Sequence, residues 1–258
     1  MGIIEKMRLD QKAAFVTGGA RGIGKSVAEG FAEAGANIAI VDLDMEEAEK
    51  TAAKLAEDHG VQTLAVKTDV TDPDQVDEMV QKVVHTFGKL DIAFCNAGIC
   101  INAPAEEMTF AQWKKVLDIN LTGVFLTAQA AGKVMLKQGS GSIINTASMS
   151  GHIVNVPQPQ CSYNASKAGV IQLTKSMAVE WATRGVRVNS ISPGYIGTEL
   201  VMGDANLKSL IAEWDKLSPL GRIGRPEELQ SVCVYLAGDT SSFTTGSDFI
   251  VDGAFTCF

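Results

Sequence analysis

Residues 13–24 read Ala13-Ala14-Phe15-Val16-Thr17-Gly18-Gly19-Ala20-Arg21-Gly22-Ile23-Gly24, an apolar run that ends directly in a glycine-rich turn. Apolar residues at successive positions predict a strand buried on both faces, as in a parallel sheet. Gly18, Gly22 and Gly24 permit a tight turn, close backbone approach to a pyrophosphate and close packing of the following helix. The N-terminus of that helix would face negative charge with its unpaired N–H groups. A glycine-rich turn carries little information alone, and its place between a strand and a helix is what makes it informative.

The same alternation continues outward from this turn. Further β-rich runs lie at 37–41, 63–66, 90–94, 142–146, 187–191 and 249–251, and helical spacing at 24–34, 45–58, 73–87, 109–137, 162–184 and 226–237. Seven strands alternating with at least six helices predict an α/β fold: a single-domain, Rossmann-type, doubly wound parallel sheet with helices on both faces. The sequence holds no internal repeat, linker or low-complexity stretch, so residues 1–258 are read as one dinucleotide-binding catalytic domain. Residues 197–225 break the rhythm, with no strand and a short helical pattern around 206–216. Extra chain after a strand lies over the carboxyl edge of such a sheet, which makes this segment a candidate substrate lid.

The second run closes in Val41-Asp42-Leu43-Asp44 and puts a carboxylate twenty-four positions after Gly18. A carboxylate there accepts hydrogen bonds from a free ribose 2′-OH and repels a 2′-phosphate, so the predicted cofactor is NAD. Asp44 suits the cap of the next helix better than Asp42 does. Asp69 and Val70 after the third strand, and Asn96, Ala97 and Gly98 after the fourth, fit the floor of the same crevice.

Tyr163 and Lys167 stand four apart in a helical segment and project from one face. An ammonium beside a phenol favours the phenolate, which is expected to draw the Tyr163 pKa down from about 10 toward the range of a working acid/base.

With 46% hydrophobic and 20% charged residues the composition is that of a folded globular chain. A net charge of −8 disfavours nucleic acid and anionic membrane as partners. Residues 1–12 lack the apolar run of a signal peptide, Lys6 stands where a myristoylation motif needs Ser or Thr, and no stretch is apolar enough to span a bilayer. A cytoplasmic location is expected. Five cysteines form an odd set without a CxxC pair, so reduced thiols and no metal are expected.

The glycine-rich turn at 17–24, Asn96-Ala97-Gly98, Asn120 in a long helix, Ser148 and Ser150 at a strand end, Tyr163-Asn164-Ala165-Ser166-Lys167 and Ser192-Pro193-Gly194 occur in this order. In that order and spacing the sequence resembles the short-chain dehydrogenase/reductase family over essentially its whole length. The resemblance implies that Tyr163 is the general acid/base, Lys167 its partner and a ribose ligand, and Asn120 the residue holding a proton-relay water. It implies a serine that binds the substrate oxygen. Family spacing points to Ser150, whereas aligning on Ser-x-x-Gly points to Ser148 with two extra residues in the following loop; the strand-end position favours Ser148. Arg21 and Ile23 in the turn, and Pro193, Gly194, Ile196 and Thr198 after the sixth strand, match cofactor-binding positions, although Thr198 also suits a helix N-cap. The family further suggests a homotetramer.

The loop between serine and tyrosine carries His152, Asn155, Gln158 and Gln160, neutral groups suited to several hydroxyls, and no arginine to clamp a carboxylate. With Ser148, Ser150 and Tyr163 they predict a polyol or ketose substrate, and the sequence is similar to the sugar-alcohol branch of the family. The alternatives are a gluconate-type or keto-acyl reductase, which would need basic groups such as Lys208, Lys216 or Arg222 at the pocket mouth, and a non-catalytic NAD sensor.

Overall fold

The computed structural model describes residues 2–203 and 207–258. Seven strands, β1 (Ala13–Thr17), β2 (Asn37–Asp42), β3 (Thr63–Lys67), β4 (Ile92–Cys95), β5 (Gly141–Thr146), β6 (Val186–Pro193) and β7 (Asp248–Val251), form one sheet in the order β3-β2-β1-β4-β5-β6-β7. Every pairing is parallel. The strand order reverses between β1 and β4, which meet through Ala14↔Ile92, Phe15↔Ala93 and Val16↔Phe94. Ligands of such sheets bind at the carboxyl ends of the strands at this point.

The crossovers are α2 (Gly22–Glu33), α3 (Met45–His59), α4 (Pro73–Phe87), α5 (Phe110–Leu117), α6 (Gly123–Gln138), α7 (Cys161–Trp181) and α10 (Gln230–Ala237), with α1 (Ile3–Met7) before the sheet and α8 (Glu199–Gly203) and α9 (Lys208–Leu217) between β6 and α10. Their boundaries follow local chemistry. The Asp44 carboxylate accepts from Glu47 N–H to start α3, and Gly60 ends it at φ 68°. Asp72 caps α4 with Pro73 at its first position.

Successive side chains of each strand face opposite layers. Phe15, Ala39, Ala93 and Ile143 join Met79, Val83 and Val170 on one side, and Ala14, Val16, Ile38 and Ile144 join Phe31, Val27 and Leu236 on the other. Phe15 is wholly buried, and removing such a ring from water contributes about 1.5–3 kcal/mol.

Three segments differ from the sequence reading. The expected helix at 109–137 is interrupted by a π-helical turn, Asp118–Thr122, that separates α5 from α6. Residues 226–237 begin as a 3-10 turn, Pro226–Leu229, before α10. The described residues of 197–225 carry two short helices, and Gly224 forms an isolated bridge with Ile196 just before the segment, whereas Asn206 in the expected helical pattern lies outside the described residues. Among the described residues no helix is long and apolar enough to cross a membrane.

Candidate active site

A cleft of about 680 Å³ opens at the carboxyl edge of β1, β2, β3 and β4, lined by Gly18, Asp42, Asp69, Val70, Ala97 and Gly98 with residues of α5. Its turn is held by sterics. A Cβ on Gly24 would stand 2.1 Å from the Gly18 carbonyl oxygen and 2.7 Å from Asn96 Nδ2, and Gly18 and Gly22 adopt φ 62° and 57°. Ile23 is half-buried in the first turn of α2 and packs against the core layer of that helix. Asn96 locks the turn by donating to the Thr17 and Gly18 carbonyls at 3.0 and 3.3 Å. This cradle and its size fit a dinucleotide.

At the β2 end, Asp42 accepts from Ala20 N–H and Asp44 N–H, both at 3.2 Å. Arg21 reaches away from the turn to Asp44 at 2.7 Å and Glu47 at 3.6 Å. Its guanidinium is therefore engaged by two carboxylates. Asp69 accepts from the Thr71 hydroxyl and N–H at 2.7 and 2.9 Å, which shapes the β3 end. Val70 packs where a Cβ on Gly123 would clash at 2.8 Å.

The reactive side chains gather beyond Gly98, whose added Cβ would meet Asn120 Oδ1 at 3.3 Å and Lys167 Nζ at 3.6 Å. Asn120 sits in the π-helical turn, a distortion frequent at functional sites. Its amide clamps Ile99, accepting from N–H and donating to the carbonyl, both at 2.8 Å, and also donates to Ser166 Oγ at 3.2 Å. Lys167 is 3% exposed, donates to the Thr146 carbonyl at 2.7 Å and stands 5.5 Å from the Tyr163 ring centre.

Burial lowers Lys167 to about 8. The dense surroundings of the phenol raise Tyr163 to about 12, opposed by the Ser148 hydroxyl beside it. The expected lowering of Tyr163 by Lys167 is thus corrected: desolvation raises the phenol, and the Lys167 ammonium donates to the Thr146 carbonyl.

Ser148 caps the 3-10 turn Met149–Gly151 and accepts from Ser150 N–H at 3.1 Å. Ser150 faces the loop instead, donating to Asn155 at 2.5 Å and accepting from Gln160 at 3.2 Å. His152 binds Asp248 Oδ2 at 2.7 Å, on the β7 side, and Gln158 accepts from the Tyr195 hydroxyl at 2.7 Å. The loop polar groups read as facing substrate hydroxyls are therefore engaged by the protein. His152 and Gln158 meet partners far away in sequence, and Ser150 meets its partners within the loop itself.

Pro193 ends β6, and Gly194 passes so close to Asp252 that a Cβ would stand 2.7 Å from its Cα. The Ile196 side chain turns toward Gly224 and the lid segment, away from the dinucleotide cleft where it was expected. Thr198 accepts from Val201 N–H at 3.4 Å and lies over Gly22, 3.4 Å from where its Cβ would be. Leu43, Ile99, Lys114 and Lys115 also line the cleft. Sequence reasoning missed them because nothing local places α5 over the β2 and β3 ends.

Fold and cleft together define a Rossmann-type oxidoreductase with a hydroxyl, phenol and ammonium at the end of its nucleotide crevice. The chain belongs to the short-chain dehydrogenase/reductase family. Residues 18–256 match a family model described as enoyl-(acyl carrier protein) reductase. The chain is 45% identical to a sorbose reductase of Candida albicans, over 99% of this chain and 90% of that protein. It is 44% identical to a probable NADP-dependent mannitol dehydrogenase of Yarrowia lipolytica, over 99% and 91%. A crystal structure of a short-chain type dehydrogenase/reductase from Mycobacterium marinum superposes with a TM-score of 0.95 at 46% identity, covering both chains fully.

Proposed function

We propose that this protein is an NAD(H)-dependent dehydrogenase that interconverts a polyol and its ketose. The observation that carries the reading is Asp42 at one end of the cleft with Ser148, Tyr163 and Lys167 gathered beyond the other. The similarity to a sorbose reductase and a mannitol dehydrogenase supports the substrate class.

The NAD preference rests on charge. Asp42, Asp44 and Glu47 surround the ribose end, and Arg21, the cation nearest them, is paired with Asp44 and Glu47. A 2′-phosphate there would meet carboxylates without a free guanidinium. On this reading the chain differs in cofactor from the Yarrowia lipolytica relative, whose name gives NADP.

Gly18, Gly22, Ile23 and Gly24 would hold the pyrophosphate, Asp42 the ribose, and Asp69, Val70, Asn96, Ala97 and Gly98 the floor. Lys167, Pro193, Gly194, Ile196 and Thr198 would hold the nicotinamide half, Gly194 and Ile196 through backbone groups and Thr198 through its side chain as well. When bound, the nicotinamide supplies or accepts the hydride. The protein moves the proton: Tyr163 Oη takes it from the alcohol or returns it to the carbonyl. Ser148 Oγ already accepts from Ser150 N–H, which leaves its own O–H to donate to the substrate oxygen. Lys167 orients the ribose, and Asn120 positions the relay water. Residues 197–225 form the lid.

A carboxylate substrate would want a free cation at the pocket mouth. Of the cations named for that role, Arg222 is bound to Glu228 at 2.6 and 2.7 Å, which disfavours it as the clamp of a gluconate or keto-acyl substrate. The test is NADH formation from C4 to C6 polyols, repeated with NADP and with Asp42→Ala. NAD should win by more than about tenfold in kcat/KM, near 1.4 kcal/mol of discrimination, and the variant should narrow that ratio. A wild-type preference for NADP, or no turnover with any polyol, overturns the reading.

A further inference from the structure

The polar side chains of the loop after Ser148 converge on Tyr195. The Tyr195 hydroxyl donates to Gln158 Oε1 at 2.7 Å and accepts from Asn155 Nδ2 at 3.1 Å. Asn155 Oδ1 accepts from Ser150 Oγ at 2.5 Å, and Ser150 N–H donates to Ser148 Oγ at 3.1 Å. Gln160 braces the chain, donating to Ser150 Oγ at 3.2 Å and to Asn164 Oδ1 at 2.9 Å. The chain of bonds runs unbroken from the Tyr195 hydroxyl to Ser148 Oγ. Ser148, Ser150, Asn155 and Gln160 are each at most 7% exposed, so solvent offers little substitute for a lost bond.

The ring of Tyr195 faces the other way. It stacks on Trp214 of α9, with centroids 4.1 Å apart and planes 8° from parallel, and meets Phe255 edge-on at 5.4 Å. Tyr195 thus joins the lid helix and the C-terminal turn to the turn that carries Ser148.

We infer that Tyr195 is a positioning residue: its hydroxyl sets the Ser148 hydroxyl through Asn155 and Ser150, and its ring makes that setting depend on the seat of α9. The inference rests on Ser148 as the serine that meets the reacting oxygen. A residue that merely walls the pocket would act through its ring, which phenylalanine keeps. The relay acts through the hydroxyl, which phenylalanine lacks. Displacements of about 1 Å at a reacting group cost up to roughly 10² in rate.

The test is Tyr195→Phe, with Asn155→Ala as a second break in the same chain, each made in wild-type and Ser148→Ala backgrounds. Steady-state kcat and KM for polyol oxidation are measured with concentrated enzyme, and NADH affinity by fluorescence titration. In the wild-type background each should lower kcat about tenfold, with polyol KM and NADH affinity changed less than about twofold. In the Ser148→Ala background the same substitutions should change kcat by less than about twofold, because the group they position is gone. Equal losses in both backgrounds, an effect confined to KM, or full activity in Tyr195→Phe overturns the inference alone. A Ser148→Ala enzyme with wild-type kcat overturns the serine assignment together with it.

Discussion

Two serines two positions apart divide the work at the end of β5. Ser148 lies beside the phenol, and Ser150 is hydrogen-bonded into the loop on both its donor and acceptor sides. Ser148→Ala should lower kcat by about 10² or more, as loss of a transition-state donor does, and leave NADH affinity intact. Ser150→Ala keeps the backbone N–H that holds Ser148, so its kcat loss should be several times smaller. Parallel steady-state assays decide the matter, and a more crippled Ser150→Ala reverses the assignment. Tyr163, Lys167 and Asn120 were legible in the sequence because their spacing and order are local or family-wide. The partner of His152, Asp248, was not: the two stand 96 positions apart and meet only because β7 lies beside β6. For the same reason, polarity in a loop could be read, but whether its groups face a ligand or one another could not.

At the scale of elements, the β1–α2 turn is the most constrained joint. Unlike Gly22, Gly24 has ordinary helical geometry, yet its position tolerates no side chain, because the missing Cβ would occupy the Gly18 carbonyl and the Asn96 amide. Gly24→Ala should push α2 away from β1, at a cost of about 1–3 kcal/mol in stability and more than tenfold in NADH affinity. Thermal unfolding and fluorescence titration measure the two effects, and a variant that binds NADH normally would show that the turn has room. Strands and most helices were readable because each carries its own signals: apolar residues on both faces, Asp44 and Asp72 at helix starts, Gly60 and Gly88 at helix ends. The π-helical turn at Asp118–Thr122 carried none. It lies within a continuous amphipathic pattern, and the clamp of Asn120 on Ile99 that accompanies it is a tertiary contact.

For the whole molecule, the desolvation of Lys167 and Tyr163 ties stability to pH. Lys167 titrates near 8 in the fold against an ordinary 10.5, so between these values the unfolded chain holds the extra proton and stability rises with pH. Tyr163 titrates near 12 against an ordinary 10, so between those values the folded chain holds the extra proton and stability falls. Urea midpoints measured from pH 7.5 to 9.5 should show a rise in wild type that is flatter in Lys167→Met, and equal slopes would contradict the lowered lysine. The sheet order explains why such groups sit so near the nucleotide cleft, since every strand ends on the same edge. It also has a historical consequence. The seam between β1 and β4 divides the chain near residue 92, with the groups assigned to the nucleotide's ribose mainly before it and those assigned to the reactant after it. The ribose end and the reactant end of the cleft are thus built by two consecutive stretches of gene, with the groups assigned to the nicotinamide half falling in the second. A change in the second stretch can therefore alter the reactant end while the ribose end, built by the first, keeps its shape.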